Sequence, residues 1–161
     1  MSQSNKDDIY QKKKEEALTA ISFLEAISEN VDNDTAFKIA SDAFEKYMTN
    51  LYKNILASTE EGTQERFDKF RSFYEDYAKK TPYLKIIKST PEILEVKYER
   101  CPFYEVLNDI GFKDLAYAFC LSDPVFTKNV LPGVKFSRSN VIAKNGPYCD
   151  NKWTFHSSKK S

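Results

Sequence analysis

The sequence predicts an α+β fold in which three N-terminal helices pack on a small, mainly antiparallel sheet of about four strands, with two short helices inserted between the strand pairs. Apolar residues recur at steps of three and four from about residue 7 to residue 80, which is typical of amphipathic helices. After Pro82 the pattern changes to short segments rich in β-branched residues and separated by turn residues. A chain of 161 residues has the length of one ordinary domain. We therefore expect a single domain over 1–161, with a helical part at about 7–80 and a sheet part at about 83–156.

The helical part divides into three helices. The first covers about residues 7–29, and the second follows a cap at Asn33 or Asp34 and ends near Ser58. Thr63 is a suitable cap for the third helix, which ends before the next proline. The third helix carries an aromatic stripe that we expect in the core, formed by Phe67, Phe70, Tyr74 and Tyr77.

The sheet part contains four predicted strands, at residues 83–89, 93–100, 134–144 and 149–156. Apolar and charged residues alternate along the second strand, so one face of the sheet should pack on the helices. Alternation along the last strand points Cys149 inward, together with every second residue after it. The single histidine, His156, falls on the opposite parity and is expected to be exposed.

Two short helices are predicted between the strand pairs, at residues 103–110 and 113–121. Gly111 is a suitable C-terminal residue for the first of them. The string Ser122-Asp123-Pro124 after the second is typical of a turn.

Composition narrows the class of partner. Lysine and arginine number 24, as do aspartate and glutamate, so no overall field would attract nucleic acid or an anionic membrane surface. A small neutral or zwitterionic molecule is the expected partner, and a homodimer is compatible with the sequence. No apolar stretch has the length of a signal peptide or a membrane span, and the cysteine number is odd. We therefore expect a soluble cytoplasmic protein with reduced thiols.

All three cysteines lie after residue 100, each within a distinctive string. The strings are Arg100-Cys101-Pro102-Phe103-Tyr104, Cys120-Leu121-Ser122-Asp123 and Gly146-Pro147-Tyr148-Cys149-Asp150. Gly111 lies between the first two strings, and a predicted strand with Phe136 and Arg138 lies between the last two. In order and spacing, roughly residues 93–155 resemble the L-2-amino-thiazoline-4-carboxylic acid hydrolase family. The likeness to 4-vinyl-reductase-type small-molecule-binding domains is weaker and rests on the late Gly-x-x-Cys element.

The resemblance implies hydrolysis of a cyclic amidine, in which water adds to the carbon between sulfur and nitrogen and the thiazoline ring opens to a carbamoyl-cysteine. Cys101 is the candidate nucleophile, and Arg100 or the N-terminus of the following helix could favour its thiolate. Asp123 is the candidate general base for the attacking water. The structural alternatives are a small buried apolar role for Cys101 and a turn role for Asp123.

Five further residues are candidates for substrate binding. Arg138 is placed on the third strand and could bind a substrate carboxylate with two parallel hydrogen bonds, or it could form a surface ion pair. Tyr104 and Tyr148 flank cysteines and could line a pocket. Cys120 and Cys149 would shape the same pocket or pack in the core.

Two other functions stay open at this point. The same residues could form a non-catalytic ligand-binding or sensor module. Three thiols and Asp123 could also bind zinc, yet the sequence lacks the close Cys-x-x-Cys pair that usually starts such a site, so no metal and no cofactor is predicted.

Overall fold

The computed structural model describes residues 3–156, without the side chains of residues 3–6, 9, 13, 16, 19 and 20. Its helices are α1 (Gln3–Ser28), α2 (Asn33–Ile55), α3 (Gln64–Lys80), α4 (Pro102–Asp109) and α5 (Ala116–Val130). Its strands are β1 (Leu84–Thr90), β2 (Ile93–Tyr98), β3 (Val134–Ser137) and β4 (Cys149–Phe155). Within this part of the chain, no helix has both the length and the apolar character needed to cross a membrane.

The strands form one open antiparallel sheet in the order β1-β2-β4-β3. The predicted α+β fold is confirmed. Alternation along β4 buries every second residue from Cys149 onward, as expected, and His156 is exposed. The β2–β4 register sets Val96 beside Asn151 and Tyr98 beside Cys149. This inward face of the sheet forms one side of the site described below.

Two apolar clusters hold the helices in place. The first joins α2, α3 and α5 to the sheet and includes the aromatic stripe of α3, with Phe67, Phe70 and Tyr74 buried as expected. The second joins α1, α2, α4 and the start of α5 around Ile21 and Leu107, both fully buried. The helix α1 therefore packs on other helices rather than on the sheet.

Some predicted boundaries were wrong. The cap of α2 is Asp32, not Asn33 or Asp34, because the Asp32 carboxylate accepts hydrogen bonds from the backbone N–H and the hydroxyl of Thr35. The helix also ends at Ile55, before Ser58. The Thr63 cap of α3 is confirmed.

The second inserted helix is longer than predicted. After a short 3-10 turn at Lys113–Leu115, α5 runs through the Ser-Asp-Pro string to Val130, so the predicted turn at Asp123 is wrong. Pro124 has no N–H to donate to the Cys120 carbonyl one turn earlier, and the loss of this hydrogen bond normally destabilises a helix. Here Nη2 of Arg138 donates to that carbonyl at 3.1 Å, so its oxygen remains paired.

The third strand is shorter than predicted and ends at Ser137. The Asp150 carboxylate accepts hydrogen bonds from the backbone N–H groups of Ser139 and Asn140, which turns the chain away from the sheet. Arg138 therefore lies in the loop after β3. The sequence-based prediction that it lies on the third strand is wrong.

Candidate active site

A cavity of about 710 Å³ lies among the helices and the inward face of the sheet. Most of its wall is aromatic or aliphatic, contributed by α1, α2 and α3. The wall also carries charged, amide and thiol groups from the second half of the chain, including those of Cys101, Cys120, Asp123, Arg138, Cys149 and Asn151. The structure thus brings five of the seven predicted site residues to one cavity.

Asp123 is the buried carboxylate of this cavity. One oxygen, Oδ2, accepts a hydrogen bond from Nη1 of Arg138 at 2.9 Å and another from Nδ2 of Asn151 at 3.2 Å. No described residue donates a hydrogen bond to the other oxygen, Oδ1. The carboxylate is therefore held at one oxygen by two donors, and its second oxygen is available to a ligand or a water molecule.

Burial raises the pKa of Asp123 to about 6, and Arg138 and Asn151 offset only part of this rise. Near neutral pH the group is mostly ionised, yet it is a stronger base than an ordinary carboxylate. This is the property required of a general base that operates near pH 7.

Asn151 was not among the predicted site residues. It lies on β4 between Cys149 and Trp153, with its side chain facing inward, and it is buried. Its Oδ1 is covered and has no hydrogen-bond partner within the described part of the chain, a state that costs about 1–3 kcal/mol. A polar amide at an inward position between apolar neighbours is the signal in the sequence that could have identified it.

Cys101 caps α4. Its sulfur accepts a hydrogen bond from the backbone N–H of Tyr104 at 3.4 Å, and Pro102 begins the helix. The second strand was predicted to reach residue 100, but β2 ends at Tyr98 and the chain bends before Pro102, so Cys101 faces the cavity. Burial raises the pKa of the thiol to about 12, even though the N-terminus of α4 lowers it. The thiol is therefore protonated at neutral pH.

Arg100 does not favour a Cys101 thiolate. Its guanidinium binds the carboxylate of Glu105 through two hydrogen bonds, at 3.0 and 2.9 Å. It also lies 3.7 Å above the ring of Tyr10. The charge of Arg100 is therefore compensated within its own neighbourhood.

The other two thiols are buried in the wall of the cavity. The Cys120 thiol lies 3.6 Å from the Ala116 carbonyl, and Cys149 accepts a hydrogen bond from the backbone N–H of Ile142 at 3.3 Å. Burial raises the pKa of both thiols. Over residues 3–156, no group of three or more histidine, cysteine, aspartate or glutamate side chains is arranged to hold a metal ion.

Tyr104 and Tyr148 are not among the residues that line the cavity, and their role in substrate binding stays a prediction. Tyr104 packs against the second apolar cluster. Tyr148 is half-buried elsewhere, with the Lys97 ammonium 4.4 Å above its ring. Adjacency to a cysteine in the chain did not predict which residues line this cavity, because neighbours along a strand or beside a cap face opposite directions.

The cavity has tyrosines that the sequence did not single out. Tyr52, Tyr74 and Tyr98 line it, and the Tyr52 hydroxyl donates to that of Tyr74 at 2.9 Å. Burial raises the pKa of each of these phenols, so all three are neutral hydrogen-bonding groups.

One of the comparisons with known proteins found a match. A family model described as L-2-amino-thiazoline-4-carboxylic acid hydrolase matches residues 11–153, which include every residue of the polar wall. A comparison with curated proteins found no match.

Proposed function

Because the chain belongs to the L-2-amino-thiazoline-4-carboxylic acid hydrolase family, we propose that it hydrolyses a small cyclic amidine of the 2-amino-thiazoline-4-carboxylate type. The observation that carries the proposal is the buried carboxylate of Asp123, held at one oxygen and available at the other inside a mainly apolar cavity. The product would be a carbamoyl-cysteine.

Asp123 acts as the general base. It takes one proton from water as the water oxygen bonds to the carbon between sulfur and nitrogen, and the electron pair of the carbon–nitrogen double bond moves to the ring nitrogen. Asp123 then gives that proton to the ring nitrogen. The carbon–nitrogen single bond breaks, the nitrogen takes the proton of the new hydroxyl, and a carbonyl forms. Substrate and water together account for every atom of the product, and no cofactor enters the balance.

Arg138 positions the base. Its two hydrogen bonds, to Asp123 and to the Cys120 carbonyl, fix the carboxylate against α5. Arginine carries five N–H groups, so N–H groups beyond these two remain for the carboxylate of a 2-amino-thiazoline-4-carboxylate. The sequence-based assignment of Arg138 to a substrate carboxylate stays a prediction.

Cys101 stays a prediction as a nucleophile. A thiol with a pKa of about 12 offers little thiolate at neutral pH, and no cation of the described chain is paired with it. Direct attack by water at the amidine carbon is therefore the preferred course, with the three thiols as polarisable parts of the wall.

The test is ring opening of L-2-amino-thiazoline-4-carboxylate by the purified chain, followed by mass spectrometry of the carbamoyl-cysteine product. We expect turnover by the wild type and by Asp114→Asn, a matched loss of one exposed carboxylate close to α5 in the chain. We expect no measurable turnover by Asp123→Asn, provided that its circular dichroism shows a folded protein. Full activity of folded Asp123→Asn would contradict the proposal.

A non-catalytic binding module is the second candidate, favoured by the aromatic wall of the cavity and its protonated thiols. Such a protein would gain thermal stability from the thiazoline without opening its ring. Ligand-induced stabilisation with no product in the same sample would decide for this alternative.

A further inference from the structure

The cavity is larger than the ring that gives the family its name. A 2-amino-thiazoline-4-carboxylate has about nine non-hydrogen atoms and fills roughly 270 Å³ even at the ~30 Å³ that each molecule of liquid water takes. The cavity of about 710 Å³ lies within the ~300–1,000 Å³ range of sites that hold drug-sized ligands. More than half of its volume would be left for something other than the ring.

The remaining volume is apolar and reaches the surface. Phe23 on α1 is 71% exposed and Tyr47 on α2 is 59% exposed, yet both line the cavity. Ile39, also exposed, lies at the same rim. Behind this rim, Met48 and Phe44 are buried and lead inward. Large exposed apolar side chains continuous with an interior cavity are typical of an entrance for an apolar ligand.

The charges of the cavity do not favour a second carboxylate. The cations among its lining residues are Arg100 and Arg138, and each is already paired, with Glu105 and with Asp123 respectively. A substrate carboxylate bound at Arg138 would compete with Asp123 for the guanidinium that holds this carboxylate in place, at a cost to the pairing of Asp123. A ligand without that carboxylate avoids this cost.

We propose that the substrate of this chain is an amphiphilic cyclic amidine, whose polar ring binds at Asp123 and whose apolar body fills the cavity toward Phe23 and Tyr47. The inference rests on the proposed function, because it assumes that the amidine ring is the reacting group. It replaces the carboxylate of the family's named substrate with an alkyl or aryl group long enough to reach the rim.

The test is a series of 2-amino-thiazolines that carry at one ring carbon a carboxylate, an ethyl, a butyl or a hexyl group. Dissociation constants are measured by calorimetry on the full chain of folded Asp123→Asn, in which turnover does not disturb binding. We expect affinity to rise about fourfold for each methylene group buried, so that the hexyl compound binds far more tightly than the ethyl one.

A substitution at the rim of the cavity tests where the alkyl group of the ligand binds. Phe23→Asp should lower the affinity for the hexyl compound by about tenfold or more, because an aspartate at the rim opposes burial of the alkyl end. The affinity for the carboxylate compound should not change. Leu18→Asp is the matched control, since Leu18 is 45% exposed on the same helix but does not line the cavity. It should change neither affinity.

The outcomes separate the two proposals. Equal affinity along the alkyl series, with efficient ring opening of the carboxylate compound by the wild type, would overturn the inference and support the proposed function. Rising affinity without any ring opening by the wild type would support an apolar ligand and contradict the proposed reaction. A change of oligomeric state in Phe23→Asp, with unchanged hexyl affinity, would assign the rim to a second copy of the chain and overturn the inference.

Discussion

Replacing Asp123 by asparagine should make the folded protein more stable near neutral pH while it removes the proposed base. The folded-state pKa of about 6 lies above the ordinary value of 3.8, so the folded chain binds the Asp123 proton more tightly than the unfolded chain does. This contribution to stability is fully present below the unfolded pKa and is lost as the pH rises through about 6. Near pH 7 the ionised carboxylate therefore lowers the free energy of unfolding.

The size of the effect follows from the same pKa values. Each pKa unit is worth about 1.4 kcal/mol, so the rise from 3.8 to about 6 corresponds to about 3 kcal/mol of unfolding free energy. Asparagine resembles the protonated carboxyl in shape and charge. We therefore expect Asp123→Asn to gain up to about 3 kcal/mol near pH 7 and to gain almost nothing near pH 4.

Urea unfolding followed by circular dichroism, from about pH 4 to about pH 8, measures this difference directly. The control is Asp114→Asn, which removes an exposed carboxylate and should track the wild type at every pH. A loss of about 3–5 kcal/mol in Asp123→Asn near neutral pH would refute the reasoning. It would mean that the ion pair with Arg138 stabilises the fold, and that burial of the carboxylate is not the dominant effect.

Three further substitutions test other parts of the account. Cys101→Ser should keep the hydrogen bond to the Tyr104 N–H and retain the ring-opening rate within about threefold, since a mostly protonated thiol contributes little as a nucleophile. A complete loss of product in steady-state kinetics would instead indicate that Cys101 is the nucleophile. Arg66→Met should cost about 3 kcal/mol in urea unfolding, because the buried guanidinium donates to three backbone carbonyls, while the rate stays unchanged. Trp153→Phe should cost about 3 kcal/mol through lost packing and the lost hydrogen bond to Thr127, and wild-type stability in thermal unfolding would contradict this.

Periodicity predicted the elements whose stability comes from a buried face. The stripe of α3 and the alternation of β4 are regular over their whole length, so both elements were recognised with nearly correct bounds. The inward position of Cys149 and the exposure of His156 followed from the same alternation.

The errors arose where a distant side chain replaces a local hydrogen bond. Pro124 indicated a turn because proline removes a helix bond, and nothing nearby in the sequence reveals that Arg138 takes over the Cys120 carbonyl. Likewise, β3 ends early because Asp150, on another strand, captures two backbone N–H groups. Such tertiary compensation cannot be derived from local patterns.

The candidate site was only partly visible in the sequence. The strings around Cys101 and Asp123 identified residues that line one cavity, but they did not reveal the hydrogen bond between Asp123 and Arg138 or the one from Asn151. The cavity itself is made by helices whose aromatic residues looked like ordinary core. Whether a stripe fills a core or surrounds a cavity depends on packing between elements, which no single stripe determines.

The pH dependence of ring opening, measured as kcat/KM for a 2-amino-thiazoline, tests the central role of Asp123 most directly. We expect kcat/KM to be constant at neutral pH and to fall about tenfold per pH unit once the pH is below about 6, where the carboxylate is protonated. A profile without an inflection near pH 6 in the folded wild type would contradict the assignment of Asp123 as the general base.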